Sequence, residues 1–185
     1  MTQAPTRPGR EADVRTWPHL VRRFLGSLRP GGPGQADDAW AVGQLEPGEV
    51  LLWRRMSGAD RRHHRSGGPG AERAGGVAGD AHGVAAALLH DVGKIASGFG
   101  PFRRSLATVA GMVAGRTAAE RWRARPGLMG RTGRYLCHDA IGADLLAGAG
   151  SDGLTVAWAR EHHLPAERWT VPADIAGALK AADDD

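Results

Sequence analysis

The amino-acid sequence predicts an all-α fold. In several stretches apolar residues recur three or four positions apart, the spacing that places side chains on one face of a helix. Proline and glycine separate these stretches, and no stretch alternates polar and apolar residues for long enough to predict a strand. With 185 residues, of which 42% are hydrophobic, the chain is long enough for one domain with a substantial core.

The composition is typical of a protein from a reducing compartment. Its single cysteine, Cys137, excludes an internal disulfide. Residues 1–15 lack the apolar centre of a signal peptide. The longest weakly apolar run, 106–114, is far shorter than the roughly 20 residues that a membrane-spanning helix needs. We therefore expect a cytoplasmic protein with no membrane partner.

The net charge of +4 comes almost wholly from arginine, because Lys94 and Lys180 are the only lysines. The arginines are scattered along the chain rather than aligned on one predicted face. A nucleic-acid-binding surface normally shows such an alignment, so we expect no specific nucleic-acid binding. A basic surface still suits a substrate that carries phosphate.

The chain is predicted to begin with a flexible tail, residues 1–15, ahead of one helical domain, residues 16–185. The tail combines proline and charged residues without periodicity. Thr16 then has the character of an N-cap, with Pro18 in the first turn of a helix over 16–28. An apolar stripe on this helix should pack on the domain; it consists of Leu20, Val21, Phe24, Leu25 and Leu28.

Two short helices are predicted over 37–45 and 47–56, separated by Pro47-Gly48. Ser57 then resembles the N-cap of a third helix, with His63 and His64 on its second turn. The core candidates in the first two helices are Trp40, Leu45, Val50, Leu51, Leu52 and Trp53.

Residues 65–83 are unusually rich in glycine. Seven glycines lie between Gly67 and Gly83, and Val77 is the only large aliphatic residue. Each glycine inside a helix costs about 1 kcal/mol relative to alanine, and no apolar stripe offsets that cost here. We predict a loop or a poorly ordered segment, with the third helix ending near Gly67.

Five further helices are predicted in the second half of the chain. They cover 84–96, 102–122, 135–146, 154–162 and a final stretch from Pro172 to Ala182. In the second of them, the residues expected to face inward are Leu106, Val109, Ala110 and Val113.

The adjacent pair His90-Asp91 lies in the otherwise apolar stretch 84–96. Two ionisable neighbours are costly to bury unless something binds them. Imidazole nitrogen and carboxylate oxygen together commonly bind Zn, Mn or Fe, although a hydrogen-bonded structural pair is the plain alternative. Lys94, one turn after His90, could offer a cation to an anionic substrate. Further candidates of the same types are His63, His64, His138, Asp139, His162, His163 and the terminal 183–185.

The order and context of these residues resemble the HD-domain metal-dependent phosphohydrolase superfamily. His90-Asp91-Val92-Gly93-Lys94 matches its signature doublet and trailing lysine. Three later blocks match in the same order: His138 before Asp-Ala-Ile-Gly-Ala, His162 in Arg-Glu-His-His, and Asp183 in Leu-Lys-Ala-Ala-Asp. The match covers about residues 57–185, and it implies an HD-domain-like helical bundle.

The resemblance also implies a ligand set for one or two divalent ions of Mn, Fe, Zn or Mg. It consists of His63, His90, Asp91, His138, His162 and Asp183, with His63 narrowly preferred over His64 as the first ligand. Asp91 would bridge the two ions, and Asp91 and Lys94 would be the catalytic residues. His163 is expected to be an outward neighbour or a donor to a ligand.

The expected reaction is hydrolysis of a phosphomonoester, a phosphodiester or a nucleotide by metal-activated water. The main alternative is a catalytically impaired HD protein that binds metal or nucleotide as a regulatory module. It arises because the family's first-histidine helix continues with apolar residues, whereas here it runs into the glycine-rich 65–83. A weaker alternative is di-iron oxygenase chemistry, which a few HD-type sites perform.

Overall fold

The computed structural model describes residues 31–66, 76 and 81–184, with the backbone alone at 65, 66 and 184. This part of the chain forms ten α-helices, two short 3-10 helices and no strand, which confirms the all-α class. The predicted tail 1–15 and helix 16–28 lie outside the described residues, as does most of 65–83. The α-helices are α1 (Gln35–Gly43), α2 (Pro47–Arg55), α3 (Gly58–Ser66), α4 (Ala81–Leu89), α5 (Pro101–Ala114), α6 (Arg116–Arg123), α7 (Gly127–Leu136), α8 (His138–Gly148), α9 (Gly153–Glu161) and α10 (Ala173–Asp184).

Helices α1 and α2 lie within two residues of their predicted bounds. Pro47 opens α2, and the Glu49 side chain accepts from the backbone N–H of Glu46 at 2.9 Å, which satisfies a donor at the helix start. Trp53 is buried, and its indole N–H donates to Asp38 of α1 at 2.9 Å. Leu51, predicted in the core, is exposed, because the neighbouring Leu52 and Trp53 occupy the buried face of this short helix.

The most deeply buried helix is α4, in which every residue from 83 to 89 is buried. It ends at Leu89 rather than near 96, and Val92–Ser97 forms a 3-10 helix instead. The 3-10 helix approaches α8 closely: a Cβ at Gly93 would lie 1.9 Å from the carbonyl oxygen of His138. His90 and Asp91 therefore lie on a turn between two helical segments, not within one helix.

The predicted helix 102–122 is two helices, α5 and α6, separated by Gly115 with φ +77°. The inward face of α5 also differs from the prediction, because Leu106, Val109 and Val113 are exposed. The opposite side of α5 packs on α7 instead. A Cβ at Gly111 there would lie 2.5 Å from the Leu136 side chain, so the small residue allows close packing that larger side chains would prevent.

Helix α7 was not predicted. Its glycines weaken the helical pattern, but two of them allow the backbone at the end of α6 and in the turn after it to approach α7 closely. A Cβ would lie 1.7 Å from the Arg125 carbonyl oxygen at Gly130, and 2.3 Å from the Arg123 nitrogen at Gly133. These glycines are therefore contact positions between α7 and the chain that precedes it.

Helices α8, α9 and α10 correspond to the last three predicted helices. They pack with α4 around one cluster of buried apolar side chains, whose largest fully buried members are Trp53, Leu88, Leu89, Leu146, Trp158 and Leu179. Among the described helices, none is long and apolar enough to cross a membrane.

Candidate metal centre

Imidazole and carboxylate groups from five parts of the fold converge around His90 and Asp91. They are His64 on α3, His90 and Asp91 on the turn after α4, His138 at the start of α8, His162 and His163 directly after α9, and Asp183 on α10. The resemblance to the HD-domain superfamily implied most of this set, and the helix packing brings its members together.

Four of the histidine rings are oriented in the same way, each with Nδ1 on a backbone carbonyl. A carbonyl oxygen only accepts, so Nδ1 carries the proton and Nε2 presents a lone pair. This second hydrogen bond commonly orients metal-ligating histidines. The Nδ1–oxygen distances are 2.8 Å from His64 to Leu88, 3.0 Å from His90 to Ala87, 2.7 Å from His138 to Tyr135 and 3.0 Å from His162 to Ala159.

The Asp91 carboxylate lies between two pairs of these Nε2 atoms. Its Oδ1 faces His138 at 3.1 Å and His162 at 3.7 Å. Its Oδ2 faces His64 at 3.5 Å and His90 at 3.7 Å. The two oxygens of one carboxylate are thus each shared between two imidazoles, an arrangement suited to two adjacent cations.

Three of the Nε2 atoms, those of His64, His90 and His162, are buried and have no hydrogen-bond partner in the described part of the chain. Burial lowers the pKa of His90 more than the carboxylates of Asp91 and Asp183 raise it, so that ring is neutral at pH 7. Lone pairs then face carboxylate oxygens with no proton between them. A cation would resolve this conflict, so the donor set fits a divalent metal.

Two groups of side chains could hold such an ion. In each group, one ligand atom per residue lies within 4.8 Å of every other. The groups are His64, His90 and Asp91, and Asp91, His138, His162 and His163. Nitrogen and oxygen donors of this kind suit Zn, Mn or Fe, and do not single out one of them.

Lys94 extends from the 3-10 helix, and its ammonium contacts Asp91 Oδ2. Burial alone would raise the pKa of Asp91, but the charge of the Lys94 ammonium holds it well below its usual range. Burial would likewise lower the pKa of Lys94, but the Asp91 charge raises it above its ordinary value. Both groups are therefore ionised at neutral pH, and a cation lies beside the cluster as the sequence predicted.

Asp183 supplies a further carboxylate, since its Oδ1 lies 3.3 Å from His90 Nε2. Burial opposes ionisation, but the neighbouring His90 and Lys180 hold the pKa of Asp183 well below its usual range. Lys180, one turn earlier on α10, contacts the other oxygen at 3.1 Å. Asp183 is therefore an anionic side chain facing the cluster from the last helix.

The preference for His63 over His64 as the first ligand is wrong in this geometry. Adjacent helix residues diverge by about 100°, so only one of the two can face the cluster. Asp60, one turn before His64, is buried and bonded to Arg104 of α5 at 2.9 Å. That contact sets the rotation of α3, and it turns His64 inward while His63 remains partly exposed.

The sequence left two positions open for His163, an outward neighbour or a donor to a ligand, and its contact with His138 agrees with the second. Its Nε2 lies 3.1 Å from His138 Nε2. The pKa of His163 is lowered to about 3, mainly because its ring is partly removed from water. The neighbouring His162 and His138 lower it further. The adjacent pair His162-His163 was the available signal. Because α9 ends at Glu161, both rings can turn to the same side.

Two sets of polar contacts hold the elements that carry the cluster. Arg131 of α7 donates to the Ser97 carbonyl at 2.7 Å and so fixes the end of the 3-10 helix. Glu161 is buried and accepts from the Thr170 backbone and hydroxyl, both at 2.6 Å, and from the Val171 N–H at 3.3 Å. The second set ties the end of α9, where the histidine pair begins, to the loop before α10.

No protein-family model, curated protein or solved structure matches this chain.

Proposed function

We propose that this protein binds one or two divalent metal ions around Asp91 and hydrolyses a phosphate ester or a nucleotide. The observation that carries the proposal is the set of buried Nε2 lone pairs around one ionised carboxylate. The order of the matched sequence blocks, which resembles the HD-domain phosphohydrolases, supports the same reaction class.

Asp91 would be the residue shared by the two ions, because each of its oxygens faces a different pair of imidazoles. One ion would be held from its Oδ2 side, and the second from its Oδ1 side. The first group consists of His64, His90, Asp91 and Asp183, and the second of Asp91, His138, His162 and His163.

A bound divalent metal supplies Lewis acidity toward phosphoryl oxygens and makes an attacking water more acidic. The protein supplies imidazoles in fixed orientation, since their Nδ1 protons are held by carbonyl oxygens. Lys94 supplies a permanent cation at the edge of the cluster. With Asp91 Oδ2 bound to a metal, that ammonium would be available to pair with a phosphoryl oxygen and to stabilise negative charge there.

The first measurement is elemental analysis of protein purified without chelator, followed by phosphate release from phosphomonoesters, phosphodiesters and nucleotides in Mn²⁺. Asp91→Asn should lose both bound metal and turnover, because it removes the shared charge. Asp144→Asn is the matched control. The Asp144 carboxylate is exposed on α8, and in the described part of the chain it forms an ion pair with Arg160. It should behave like the unchanged protein.

The same measurements separate the alternatives. Asp91→Asn protein that retains its metal or its turnover contradicts the site. Bound metal without phosphate release from any substrate favours a regulatory metal- or nucleotide-binding module. Oxygen consumption in place of phosphate release favours the di-iron chemistry.

A further inference from the structure

Helix α3 presents His64 to the candidate metal centre, yet it has almost no apolar side chain with which to pack. None of its apolar side chains is larger than that of Ala59, and the other residues are glycine, polar or charged. A helix in a globular protein is normally positioned by an apolar face. The position of α3, and with it the orientation of His64, must therefore depend mainly on polar contacts.

One of these contacts is an ion pair between Asp60 and Arg104 of α5. Asp60 is buried, and the Arg104 side chain is only 14% exposed. The two terminal nitrogens of Arg104 donate to different oxygens of Asp60, with 2.9 Å between Nη2 and Oδ2. A two-pronged contact of this kind fixes orientation as well as distance. His64 lies four residues after Asp60, on the same face of α3, so the pair also fixes the direction in which His64 points.

Arg104 also reaches the segment that carries Asp91. Its Nε donates to the Phe99 carbonyl at 3.0 Å. The Phe99 N–H in turn donates to the hydroxyl of Ser97 at 3.2 Å, at the end of the 3-10 helix that begins directly after Asp91. One guanidinium therefore joins the element of His64 to the element of Asp91, across the 3.5 Å between His64 Nε2 and Asp91 Oδ2.

A buried ion pair contributes little to stability, because the cost of removing two charges from water offsets most of their attraction. Apolar replacements of similar size are often neutral or stabilising. We propose that Asp60 and Arg104 are positioning residues for the metal centre, and that through His64 they set the affinity of the ion on the Oδ2 side of Asp91. This inference rests on the metal binding proposed above, and extends it to two residues outside the ligand set.

The test is titration of the full chain with Co²⁺, followed by visible absorption, which depends on the ligands and geometry of the bound ion. Asp60→Leu/Arg104→Met removes one negative and one positive charge, so a change in affinity does not come from net charge. This variant should bind the ion on the Oδ2 side at least about tenfold more weakly, as is typical when the contacts behind a ligand are lost. Its Co²⁺ spectrum should shift toward that of His64→Leu protein, whereas its urea midpoint in chelator should stay close to that of the unchanged protein.

His64→Leu also tests whether the pair acts through His64. In that background, Asp60→Leu/Arg104→Met should change the Co²⁺ affinity by less than about twofold, because the intermediate side chain is gone. Arg104→Lys keeps the charge but loses the two-pronged contact, so it should also weaken binding, and it decides the matter if the double variant unfolds. The matched control is Asp144→Leu/Arg160→Met, which removes an exposed ion pair between α8 and α9 and should bind Co²⁺ like the unchanged protein.

Unchanged Co²⁺ affinity in both Asp60→Leu/Arg104→Met and Arg104→Lys protein would overturn the inference and leave the proposed function standing. An equal loss of affinity in the His64→Leu background would also overturn it, since the pair would then act through another part of the site. Weaker binding found only in variants whose urea midpoint in chelator is also lower would assign the pair a structural role instead. If the unchanged protein binds no Co²⁺, the proposed function fails and the inference fails with it.

Discussion

Gly93→Ala should separate the two halves of the candidate metal centre. The new Cβ would lie 1.9 Å from the His138 carbonyl oxygen and 2.6 Å from the Gly142 nitrogen, whereas ordinary contact begins near 3.4 Å. Both opposing atoms are backbone, so no side-chain rotation relieves the clash. The 3-10 helix and α8 must move apart by about 1.5 Å, a distortion whose cost lies near the upper end of the roughly 1–3 kcal/mol typical of overpacking.

The displacement acts directly on the cluster, because Asp91 lies just before Gly93 and His138 begins α8. The distance of 3.1 Å between His138 Nε2 and Asp91 Oδ1 would widen by a similar amount. Gly93→Ala should therefore lose stability in chelator-treated protein and also lose one bound ion. Urea denaturation and metal titration measure the two effects separately.

Gly148→Ala is the matched control, since Gly148 lies at the end of α8 with nothing within 4 Å of its Cβ. It should be neutral, or stabilise by up to about 1 kcal/mol through helix propensity. Gly142→Ala, whose Cβ would lie 3.1 Å from the Gly93 nitrogen, should be intermediate. If Gly93→Ala matches Gly148→Ala in both urea midpoint and metal content, the close approach between these elements is refuted.

Three further outcomes are expected. Glu161→Gln should cost about 1.5–3 kcal/mol in thermal denaturation, because a charged acceptor of several hydrogen bonds becomes neutral; an unchanged midpoint would contradict that role. His163→Gln should weaken only the second of two binding events in metal titration, because its neutral ring faces His138; equal loss of both events would count against the two-ion grouping. In metal-free protein the pKa of His90 is lower in the folded state than in the unfolded state. The unfolded chain therefore binds more protons as the pH falls through about 6.5. The free energy of unfolding should then fall by up to about 1.4 kcal/mol per pH unit. Urea midpoints at pH 7.5 and 5.5 test this sign, and an equal or higher midpoint at pH 5.5 would refute it.

The periodicity of apolar residues was sufficient to predict the helices that bury one clear face, such as α9. It failed for α5, which has two apolar sides. Which side packs inward depends on how closely α7 can approach, and that distance is set by the small residue Gly111. It failed for α7 for a related reason. Gly130 and Gly133 weaken a helix in isolation but permit the contact that stabilises it in the folded chain.

For the candidate metal centre, the adjacent His90 and Asp91 stood out from the residues alone, and the resemblance to the HD-domain superfamily added His138, His162 and Asp183, which the structure brings close to them. Residue order and type were not enough to choose between His63 and His64, because the rotation of α3 is set by a distant contact between Asp60 and Arg104. They were also not enough to choose between an outward position for His163 and contact with a ligand, because a continuous helix would turn it away. Its position depends on where α9 ends, and helix ends are the least predictable feature of a sequence pattern.

The side chains that meet at Asp91 come from positions as far apart as His64 and Asp183. No local fragment of the chain contains the set, so in the unfolded ensemble the donors are separated by long, flexible loops whose closure is entropically unfavourable. An ion that requires all of them would recognise the native state alone, and would shift the folding equilibrium by mass action. The folded fraction of such a protein would then depend on the concentration of free metal around it.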